Sequence, residues 1–412
     1  MERIKLGFIG VGRRGPGQIG CILNIFDDVD VVAVCDVYED RVKTTQEKVK
    51  ELSGVECRGY TDYKDLLKDE EVQAVIICAA WEAHVPLAIA SMKAGKITAI
   101  EVGGAYSVDD CWELVRTWEE TQTPFMFLEN CCYGRNELLA NSLVRHGRFG
   151  EIVNCHAAYV HDCRHQIADG VGLRHYRMRN YMKRNGDNYP MHGLGPVAKI
   201  LNINRGNRMV SLVSVASKAR GMHEYVTGKA YEKHSDLKDV VWSQGDIVET
   251  IITCADGATI SLKLDTSLPT PYTREFTVIG TKGRYKEDGD IVYEDCKDYE
   301  KGHWLYENIG SAKEYEGEYL PACWQNITPE EVEAGHEGAD VLMYKAFFDA
   351  VRNNTEMPID VYDAASWMVI TCLSEQSVRM GGHPVEIPDF TRGGWLIRPP
   401  MDIVDFGIEE DK

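Results

Sequence analysis

The sequence predicts an α/β protein in which a doubly wound parallel sheet is followed by an α+β domain with a large, mostly antiparallel open sheet. Over the first third of the chain, short apolar strands alternate with helical segments, which is typical of parallel sheets covered on both faces. From Glu151 onward several strands follow one another, and Asp256-Gly257 between two of them is a strong hairpin signal. Since 412 residues exceed one core, we predict two domains, 1–132 and 133–412.

The elements of the first domain follow from short apolar runs separated by helical patterns. The predicted strands are 4–9, 31–35, 73–80, 97–101 and 124–129. The predicted helices run from the glycine turn to about Asn24, over 84–94 and over 108–121. Ligands bind beyond the carboxyl ends of the strands in such a sheet, so the residues that follow each strand are candidates for a site.

The second domain is predicted to be rich in strands. These strands cover 152–165, 209–218, 246–253, 259–266 and 274–280, and the late helices lie within 339–380, at about 339–351 and 364–380. The acidic and aromatic region from Tyr285 to Ala334 is interpreted as a long irregular surface excursion. One face of an open sheet needs covering, so we expect a homo-oligomer, a dimer or larger.

Composition restricts the partners and the compartment. The net charge of -20 disfavours nucleic acid and anionic membrane surfaces as partners. The 13 cysteines are an odd number without a C-x-x-C pair, which is typical of free thiols in a reducing compartment. The start of the chain has no secretory signal pattern, and no apolar run reaches the roughly 20 residues of a membrane helix. We therefore expect a cytoplasmic protein.

A glycine-rich turn follows the first strand and precedes the first helix. Its sequence is Gly10-Val11-Gly12-Arg13-Arg14-Gly15, and Asp36 ends the second strand 21 residues after Gly15. Glycines let backbone N–H groups approach a pyrophosphate, and an acid at this distance accepts hydrogen bonds from a ribose. This arrangement predicts a dinucleotide-binding Rossmann domain that prefers NAD. The alternative to a dinucleotide site is a glycine turn with a purely structural role. A phosphate contact from Arg13 or Arg14 would count against the preference for NAD.

Three further strand ends carry polar or aromatic residues. They are Ala80 to His84, Glu101-Val102-Gly103 and Glu129-Asn130. Trp81 and His84 are candidates to pack on the nicotinamide ribose, and the alternative is an ordinary helix start with a partly buried aromatic.

Two other patterns have a functional and a structural interpretation. His161, Cys163 and His165 alternate along a predicted strand, a spacing that suits a metal. No fourth ligand is evident, so we expect polar residues that line the sheet face, and no metal. The basic segment from Arg174 to Arg184 could attract a sugar acid or phosphate, but we expect a solvated loop.

Long motifs carry a resemblance to a known family. They are Leu128–Arg135, Ala158–Asp162, Tyr176–Arg179, Asn185–Ala198, Asn202–Gly206 and Pro271–Arg274. Through them the chain resembles the glucose–fructose oxidoreductase and inositol dehydrogenase (Gfo/Idh/MocA) family. It is most similar to the NAD-dependent α-N-acetylgalactosaminidase branch, glycoside hydrolase family 109.

Departures from the wider family point to the same branch. Sugar dehydrogenases of that family carry Glu-Lys-Pro where this chain has Glu101-Val102-Gly103, and they carry an Asp where it has Asn188. The glycosidase branch also lacks the lysine and keeps the Tyr-Pro-x-His-Gly element found here at Tyr189 to Gly193. Tyr176 replaces an expected tryptophan and Met191 an expected threonine, so the exact sugar stays open.

The resemblance implies specific contacts. It implies NAD contacts at Arg14, Gly15, Asp36, Trp81 to His84, Glu101, Val102 and Asn130, beside Gly10 and Gly12 of the turn. It implies sugar contacts at Tyr159, Arg177, Tyr189, Pro190, Met191, His192 and Tyr272. The structural alternatives are core packing for the tyrosines and the histidine, and a solvated loop charge for Arg177.

The function implied is a glycosidase that uses NAD catalytically, with α-N-acetylgalactosaminides as candidate substrates. Transient oxidation at C3 of the sugar acidifies the C2 proton; elimination across C1–C2, water addition and re-reduction then complete hydrolysis. His192 is the candidate to accept the hydroxyl proton, and Tyr189 and Tyr159 are candidates for the C2 proton or the enolate. Arg177 and Tyr272 would bind substrate oxygens.

Two other functions stay open from the sequence. One is an NAD-dependent sugar dehydrogenase or oxidoreductase of the wider family, which would form NADH in stoichiometric amounts. The other is a non-catalytic NAD-binding regulator, in which His192 would have no chemical role.

Overall fold

The computed structural model describes residues 3–295 and 310–408 and divides the chain into two units. The first unit comprises Met1–Gly134 and Cys323–Ala365, and the second comprises Arg135–Ala322 and Ser366–Lys412. The predicted boundary after residue 132 lies two residues from the division at Gly134. The prediction differs from the structure for residues 323–365, which the sequence analysis placed in the second domain.

The first unit contains a six-stranded parallel sheet. Its strands are β1 Ile4–Ile9, β2 Val29–Cys35, β3 Arg58–Tyr60, β4 Ala74–Ile77, β5 Ile97–Glu101 and β6 Phe125–Leu128, in the order β3-β2-β1-β4-β5-β6. The helices between them are α1 Gly15–Ile25, α2 Glu39–Ser53, α3 Tyr63–Lys68, α4 Trp81–Lys93 and α5 Val108–Thr121. Every residue of β4 is buried, as expected for a strand covered on both faces. The predicted doubly wound sheet is confirmed.

Residues from the late part of the chain complete this first unit. Helix Ala339–Asn353 packs against α1, with the rings of Phe26 and Phe348 4.9 Å apart between centroids. The guanidinium of Arg352 donates to both carboxylate oxygens of Asp28 at 2.7 Å. Apolar packing and an ion pair therefore bind this helix to the N-terminal segment, which local sequence patterns did not indicate.

The second unit contains a nine-stranded sheet. Its strands are β7 Ile152–Val160, β8 Met209–Ala216, β9 Ile247–Cys254, β10 Thr259–Asp265, β11 Thr277–Gly280, β12 Gly283–Lys286, β13 Ile291–Glu294, β14 Gly310–Ser311 and β15 Val385–Glu386, in the order β14-β13-β12-β11-β7-β10-β9-β8-β15. All neighbours are antiparallel except β7 and β10. Gly257, with φ of 95°, supplies the predicted hairpin between β9 and β10.

Helices cover one face of this sheet and leave apolar residues exposed elsewhere on it. The helices of the second unit are α6 Arg135–Arg145, α7 Arg164–Ala168, α8 Arg177–Lys183, α9 Met191–Ile200, α10 Gly221–Thr227, α11 Tyr231–His234 and Lys313–Tyr319, with most of Val361–Arg379. A Cβ on Gly193 of α9 would lie 3.0 Å from that of Ala157 on β7, so the helix packs closely on the strand. Val153, Val215 and Ile251 are exposed.

The strand predicted over 152–165 ends at Val160, which is a correction. The carboxylate of Asp162 accepts from the backbone N–H of Arg164 at 3.2 Å and from its guanidinium, and α7 begins there. His161, Cys163 and His165 therefore do not alternate along one strand. Cys163 is fully buried in an apolar cluster with Ile167, so the spacing that suggested a metal is not realised.

The region from Tyr285 to Ala334 is also more regular than predicted. The strands β12 to β14 extend the sheet, and helices form at Lys313–Tyr319, Ala322–Gln325 and Pro329–Ala334. Residues 296–309 of this region lie outside the described residues. Within the described ranges, the structure contains no helix with the length and apolar character needed to cross a membrane.

Candidate active site

Two positions in the glycine turn of the first unit require glycine. Gly10 has φ of +90°, and a Cβ on it would lie 2.5 Å from the backbone N of Ala79. A Cβ on Gly15, the first residue of α1, would lie 2.5 Å from the carbonyl oxygen of Gly10. The turn thus brings backbone close to the start of α1, which is the arrangement that accommodates a pyrophosphate.

Asp36 lies directly after β2, on the side of β1 that faces β3. It is buried, and its carboxylate accepts from the backbone N–H groups of Val11 and Tyr38, both at 3.0 Å. Nη1 of Arg41 lies 3.7 Å from the same carboxylate. Asp36 therefore stabilises the glycine turn, and it lies at the position predicted to bind the ribose. Arg41 is a neighbour that was not predicted from the sequence.

Arg14 is the centre of a buried polar network at the other side of the turn. Its Nε donates to Oε1 of Glu101 at 2.7 Å, and its two terminal nitrogens donate to Asp340 at 3.1 and 2.8 Å. The side-chain amide of Asn130 donates to Asp340 at 2.8 Å, and Gln18 donates to Glu101 at 2.5 Å. The structure thus brings three predicted cofactor residues, Arg14, Glu101 and Asn130, into one cluster.

Two members of this cluster were missed from the sequence. Asp340 lies in the first turn of helix Ala339–Asn353 and is 1% exposed, and Nδ1 of His336 lies 2.8 Å from its carboxylate. The hydrogen bond from His336 and the charge of Arg14 hold the pKa of Asp340 far below its usual range, against the effect of burial. An acid in the first turn of a helix is an ordinary feature, so no local signal identified it.

Trp81 and His84 lie at the start of α4 and are both buried. Nε2 of His84 is 2.9 Å from the carbonyl oxygen of Ala79, whereas its Nδ1 is buried with no hydrogen-bond partner among the described residues. Burial lowers the pKa of His84, so the ring is neutral and Nδ1 is an unused acceptor. A Cβ on Gly103 would lie 2.5 Å from the Trp81 ring, which explains why glycine follows Glu101-Val102.

These features fit NAD. Two glycines leave room for a pyrophosphate, an acid follows β2, and buried polar groups with an unused acceptor line the ends of β4 to β6. Val102 is buried beside them, and its N–H is 3.2 Å from Oε2 of Glu101.

In the second unit, the predicted sugar residues form an aromatic cluster. Tyr159, near the end of β7, has its ring centroid 4.7 Å from that of Tyr189, 5.4 Å from His192 and 6.3 Å from Tyr272. His161 joins the cluster, with its ring 5.2 Å from Tyr272 and its Nδ1 3.1 Å from the Tyr159 phenol oxygen. Of these side chains, Tyr272 is the most accessible, at 50% exposed.

The start of α9 pairs Tyr189 with His192. Pro190 is the N-cap of this helix, with φ of -72°, so residues 189 and 192 are one turn apart on the same side. The phenol oxygen of Tyr189 lies 3.2 Å from Nε2 of His192. Pro190 and Met191 are buried, and Met191 is fully buried, so of the four residues in this predicted set only Tyr189 and His192 have side chains in the cluster.

Arg177 belongs to this cluster rather than to a solvated loop. It begins α8, is 7% exposed, and its guanidinium carbon lies 5.3 Å from the centre of the Tyr189 ring. The basic segment around it is partly structural as well, since Arg184 pairs with Glu375 at 3.0 Å. The expectation of a solvated loop over 174–184 is therefore wrong for these two arginines.

Burial decides the protonation of Tyr159. It raises the pKa of Tyr159 well above the usual value, and the nearby charge of Arg177 opposes this only in part. Burial, with the same arginine, lowers the pKa of His161. Tyr159 is thus protonated near neutral pH and suits the role of a hydrogen-bond donor.

Supporting residues around the cluster were not predicted as site residues. The phenol oxygen of Tyr272 accepts from Arg274 at 3.0 Å, and Arg274 in turn donates to the buried Glu137 at 2.5 Å. Asp187, two residues before Tyr189, is 1% exposed, and its backbone N–H donates to Ser374 at 2.8 Å. The motifs Pro271–Arg274 and Asn185–Ala198 contain Arg274 and Asp187, whereas Glu137 lies outside the motifs and is brought in by tertiary packing.

Comparison with known proteins agrees with this geometry. Residues 4–128 match the model of the oxidoreductase family with the NAD-binding Rossmann fold, and residues 133–397 match the C-terminal domain of glycosyl hydrolase 109. The structure of levoglucosan dehydrogenase in complex with NADH is similar in fold, with a TM-score of 0.69 and 17% identity over 94% of this chain and all of that chain.

Curated relatives are similar over nearly the whole chain. An alpha-N-acetylgalactosaminidase of Tannerella forsythia is 38% identical and covers 96% of this chain and 88% of its own length. A glycosyl hydrolase family 109 protein of Parabacteroides distasonis is 36% identical and covers 97% of this chain and 89% of its own length. The first unit thus contains an NAD-binding Rossmann domain, and the chain is an NAD-dependent enzyme that belongs to glycosyl hydrolase family 109.

Proposed function

We propose that this chain hydrolyses α-N-acetylgalactosaminides through transient oxidation of the sugar. The observation that carries the proposal is the pair formed by Tyr189 and His192 beside the buried Arg177. Support for the sugar comes from the Tannerella forsythia relative, which is named as an alpha-N-acetylgalactosaminidase.

The residues of the second unit have separate roles in the proposed reaction. When bound, NAD would supply the hydride acceptor and hydride donor that the reaction needs. His192 accepts the proton of the C3 hydroxyl, and Tyr189 removes the C2 proton once C3 is a ketone. The C1–O bond then breaks, the leaving alcohol takes the proton held by Tyr189, and water adds its hydroxyl to C1 and its proton to C2. When the C3 ketone is reduced again, His192 returns its proton to the C3 oxygen. The hydrogen bond between Tyr189 and His192 lets a proton pass from one group to the other.

The remaining residues bind and orient the substrate. Arg177 and Tyr272 hold hydroxyl or amide oxygens, and Tyr159 donates a hydrogen bond because its phenol stays protonated. In the first unit, Asp36 binds the adenosine ribose and the glycine turn binds the pyrophosphate. The nicotinamide half is bound by Glu101, Val102, Asn130, Trp81 and His84.

The test is product analysis with nitrophenyl glycosides in deuterated water. We expect release of nitrophenol from α-N-acetylgalactosaminide, deuterium at C2 of the free sugar, and no net NADH. The corresponding β-anomer and the α-galactoside are matched controls for the sugar. Release without deuterium at C2 would reject the oxidative route, and stoichiometric NADH with free sugars would favour a net dehydrogenase.

The same proposal extends to the setting in which the enzyme works. Twelve cysteines in the described residues are free, which supports a reducing cytoplasm. Exposed Val215 and Ile251, which share one face of the second sheet, support a homo-oligomer that covers them. Light scattering of the protein and of an Ile251→Lys variant tests this point, with a smaller particle expected for the variant.

A further inference from the structure

We propose that Arg14, Glu101, Asp340 and His336 form an electrostatic cluster that makes the first unit bind oxidised NAD in preference to NADH. The carboxylates of Glu101 and Asp340 and the guanidinium of Arg14 together carry a net charge of one negative unit. Glu101 and Asp340 are both buried, at 7% and 1% exposed. A charge in such a place is weakly screened and acts strongly on a ligand beside it.

The guanidinium of Arg14 is fully engaged with these two carboxylates. Nε lies 2.7 Å from Glu101, and both terminal nitrogens lie within 3.1 Å of Asp340. One cation therefore faces two anions, and the excess negative charge is not removed by Arg14. The additional bonds from Gln18 to Glu101 and from Asn130 to Asp340 are donated by neutral amides, which hold the carboxylates in place without changing the charge.

The strand order indicates which half of the dinucleotide meets this cluster. Asp36 follows β2, on one side of β1, whereas Glu101 follows β5, on the other side. The glycine turn after β1 lies between them and takes the pyrophosphate. Since an acid in the position of Asp36 takes the adenosine ribose, the half of the ligand that extends toward β5 and β6 is the nicotinamide.

The two redox forms differ in charge at that half. The nicotinamide ring carries a positive charge when oxidised and none when reduced, so a buried negative cluster stabilises NAD more than NADH. The binding preference itself does not depend on the proposed function, but its purpose does, because each proposed hydrolytic cycle must begin with the oxidised cofactor. A cluster of this sign keeps the resting enzyme ready for the first hydride transfer.

The test measures the two dissociation constants, with NAD and NADH titrated separately into the nucleotide-free full chain and no glycoside present. Asp340→Asn removes the excess charge and keeps the shape of the side chain. We expect its ratio of NADH to NAD dissociation constants to fall about fivefold or more, since a buried unit charge is worth at least this. Asp349→Asn is the matched control, because Asp349 is on the same helix but 65% exposed, and it should leave the ratio unchanged.

A second variant covers the case in which Asp340→Asn does not fold. His336 is 57% exposed and contacts Asp340, so His336→Lys places a permanent positive charge beside Asp340 at the surface of the cluster. It should shift the ratio in the same direction. The proposal is overturned if a folded variant keeps the wild-type ratio of the NADH to the NAD dissociation constant, also when both affinities fall equally. It is also overturned if that ratio increases. Because no sugar is used, failure here and failure of glycoside hydrolysis are separate results.

Discussion

The phenol oxygen of Tyr189 and Nε2 of His192 are 3.2 Å apart across the first turn of α9. The pair is held by the backbone itself, because Pro190 begins the helix and fixes the spacing. Met191 between them anchors the turn in the core, since it is fully buried. A small change to either polar side chain should therefore alter chemistry while the local fold is kept.

Tyr189→Phe should lower kcat for glycoside hydrolysis by about a hundredfold or more, with a smaller change in KM. The substitution removes the proposed proton acceptor and keeps the ring, and proton transfer by a positioned group contributes on this scale. Steady-state release of nitrophenol measures both constants.

Tyr285→Phe is the matched control for this experiment. Tyr285 is fully buried in β12, and its phenol oxygen has no hydrogen-bond partner among the described residues, so its loss should leave kcat unchanged. If Tyr189→Phe kept wild-type kcat, the proposed role of Tyr189 would be rejected.

Asp187→Asn should stabilise the protein more at about pH 8 than at about pH 5. Burial raises the pKa of Asp187 to about 7, although the backbone N–H of Tyr189 opposes the shift. Below the unfolded pKa the carboxyl is protonated in both states. Between that value and about 7 the unfolded chain loses the proton first, so wild-type stability falls as pH rises, by up to about 1.4 kcal/mol per pH unit. Asparagine does not titrate.

Urea denaturation of both proteins at the two pH values measures this difference. The free energy of unfolding of the variant minus that of the wild type should increase with pH and level off above about pH 7. Any constant penalty from the buried amide cancels in the comparison. A difference that stays flat or decreases with pH would show that Asp187 is charged in the folded protein throughout this range.

Gly10→Ala should abolish NAD binding and destabilise the protein. Alanine at φ of +90° is strained by roughly 1–2 kcal/mol, and its Cβ also meets the backbone of Ala79. Gly54→Ala is the control, because Gly54 has φ of +74° but no atom within 4 Å of a Cβ, so only the strain remains. Thermal unfolding with and without NAD compares them: the control should keep the rise in Tm that NAD produces. A similar NAD-dependent rise for Gly10→Ala would contradict the tight turn.

Glu137→Ala should destabilise the protein by about 3 kcal/mol, because Arg274 would lose its closer, buried counter-ion and keep only Glu287, at 3.7 Å. It should also raise KM for the glycoside, since Arg274 holds the phenol oxygen of Tyr272. Denaturant unfolding and initial rates measure the two effects. Glu39→Ala, which breaks the exposed pair with Lys43, is the control and should change neither.

The first sheet was predictable because each buried strand is a short apolar run and each connection is a helix. The same logic failed after β7. Alternation of side chains continues to His165 in the sequence, but the side chain of Asp162 competes for the backbone N–H of Arg164 and starts a helix instead. Local hydrogen bonding of this kind is invisible to a periodicity argument.

The candidate site was predictable where its residues lie in one motif, as Tyr189 and His192 do. It was not predictable where packing brings distant segments together. Phe348 meets Phe26, and Asp340 meets Arg14, only because a late helix joins the first unit. Such contacts depend on shape complementarity between surfaces, and neither segment alone carries a signal for the other.

The partnership between Arg14 and Asp340 also bears on the order of events during translation. The two residues are 326 positions apart, so the ribosome delivers the glycine turn long before the carboxylate that completes its surroundings. Until that late helix emerges, the nascent N-terminal sheet exposes the apolar surface that Phe348 will cover. We therefore expect ribosome-bound chains halted before residue 339 to retain nucleotide poorly and to engage chaperones.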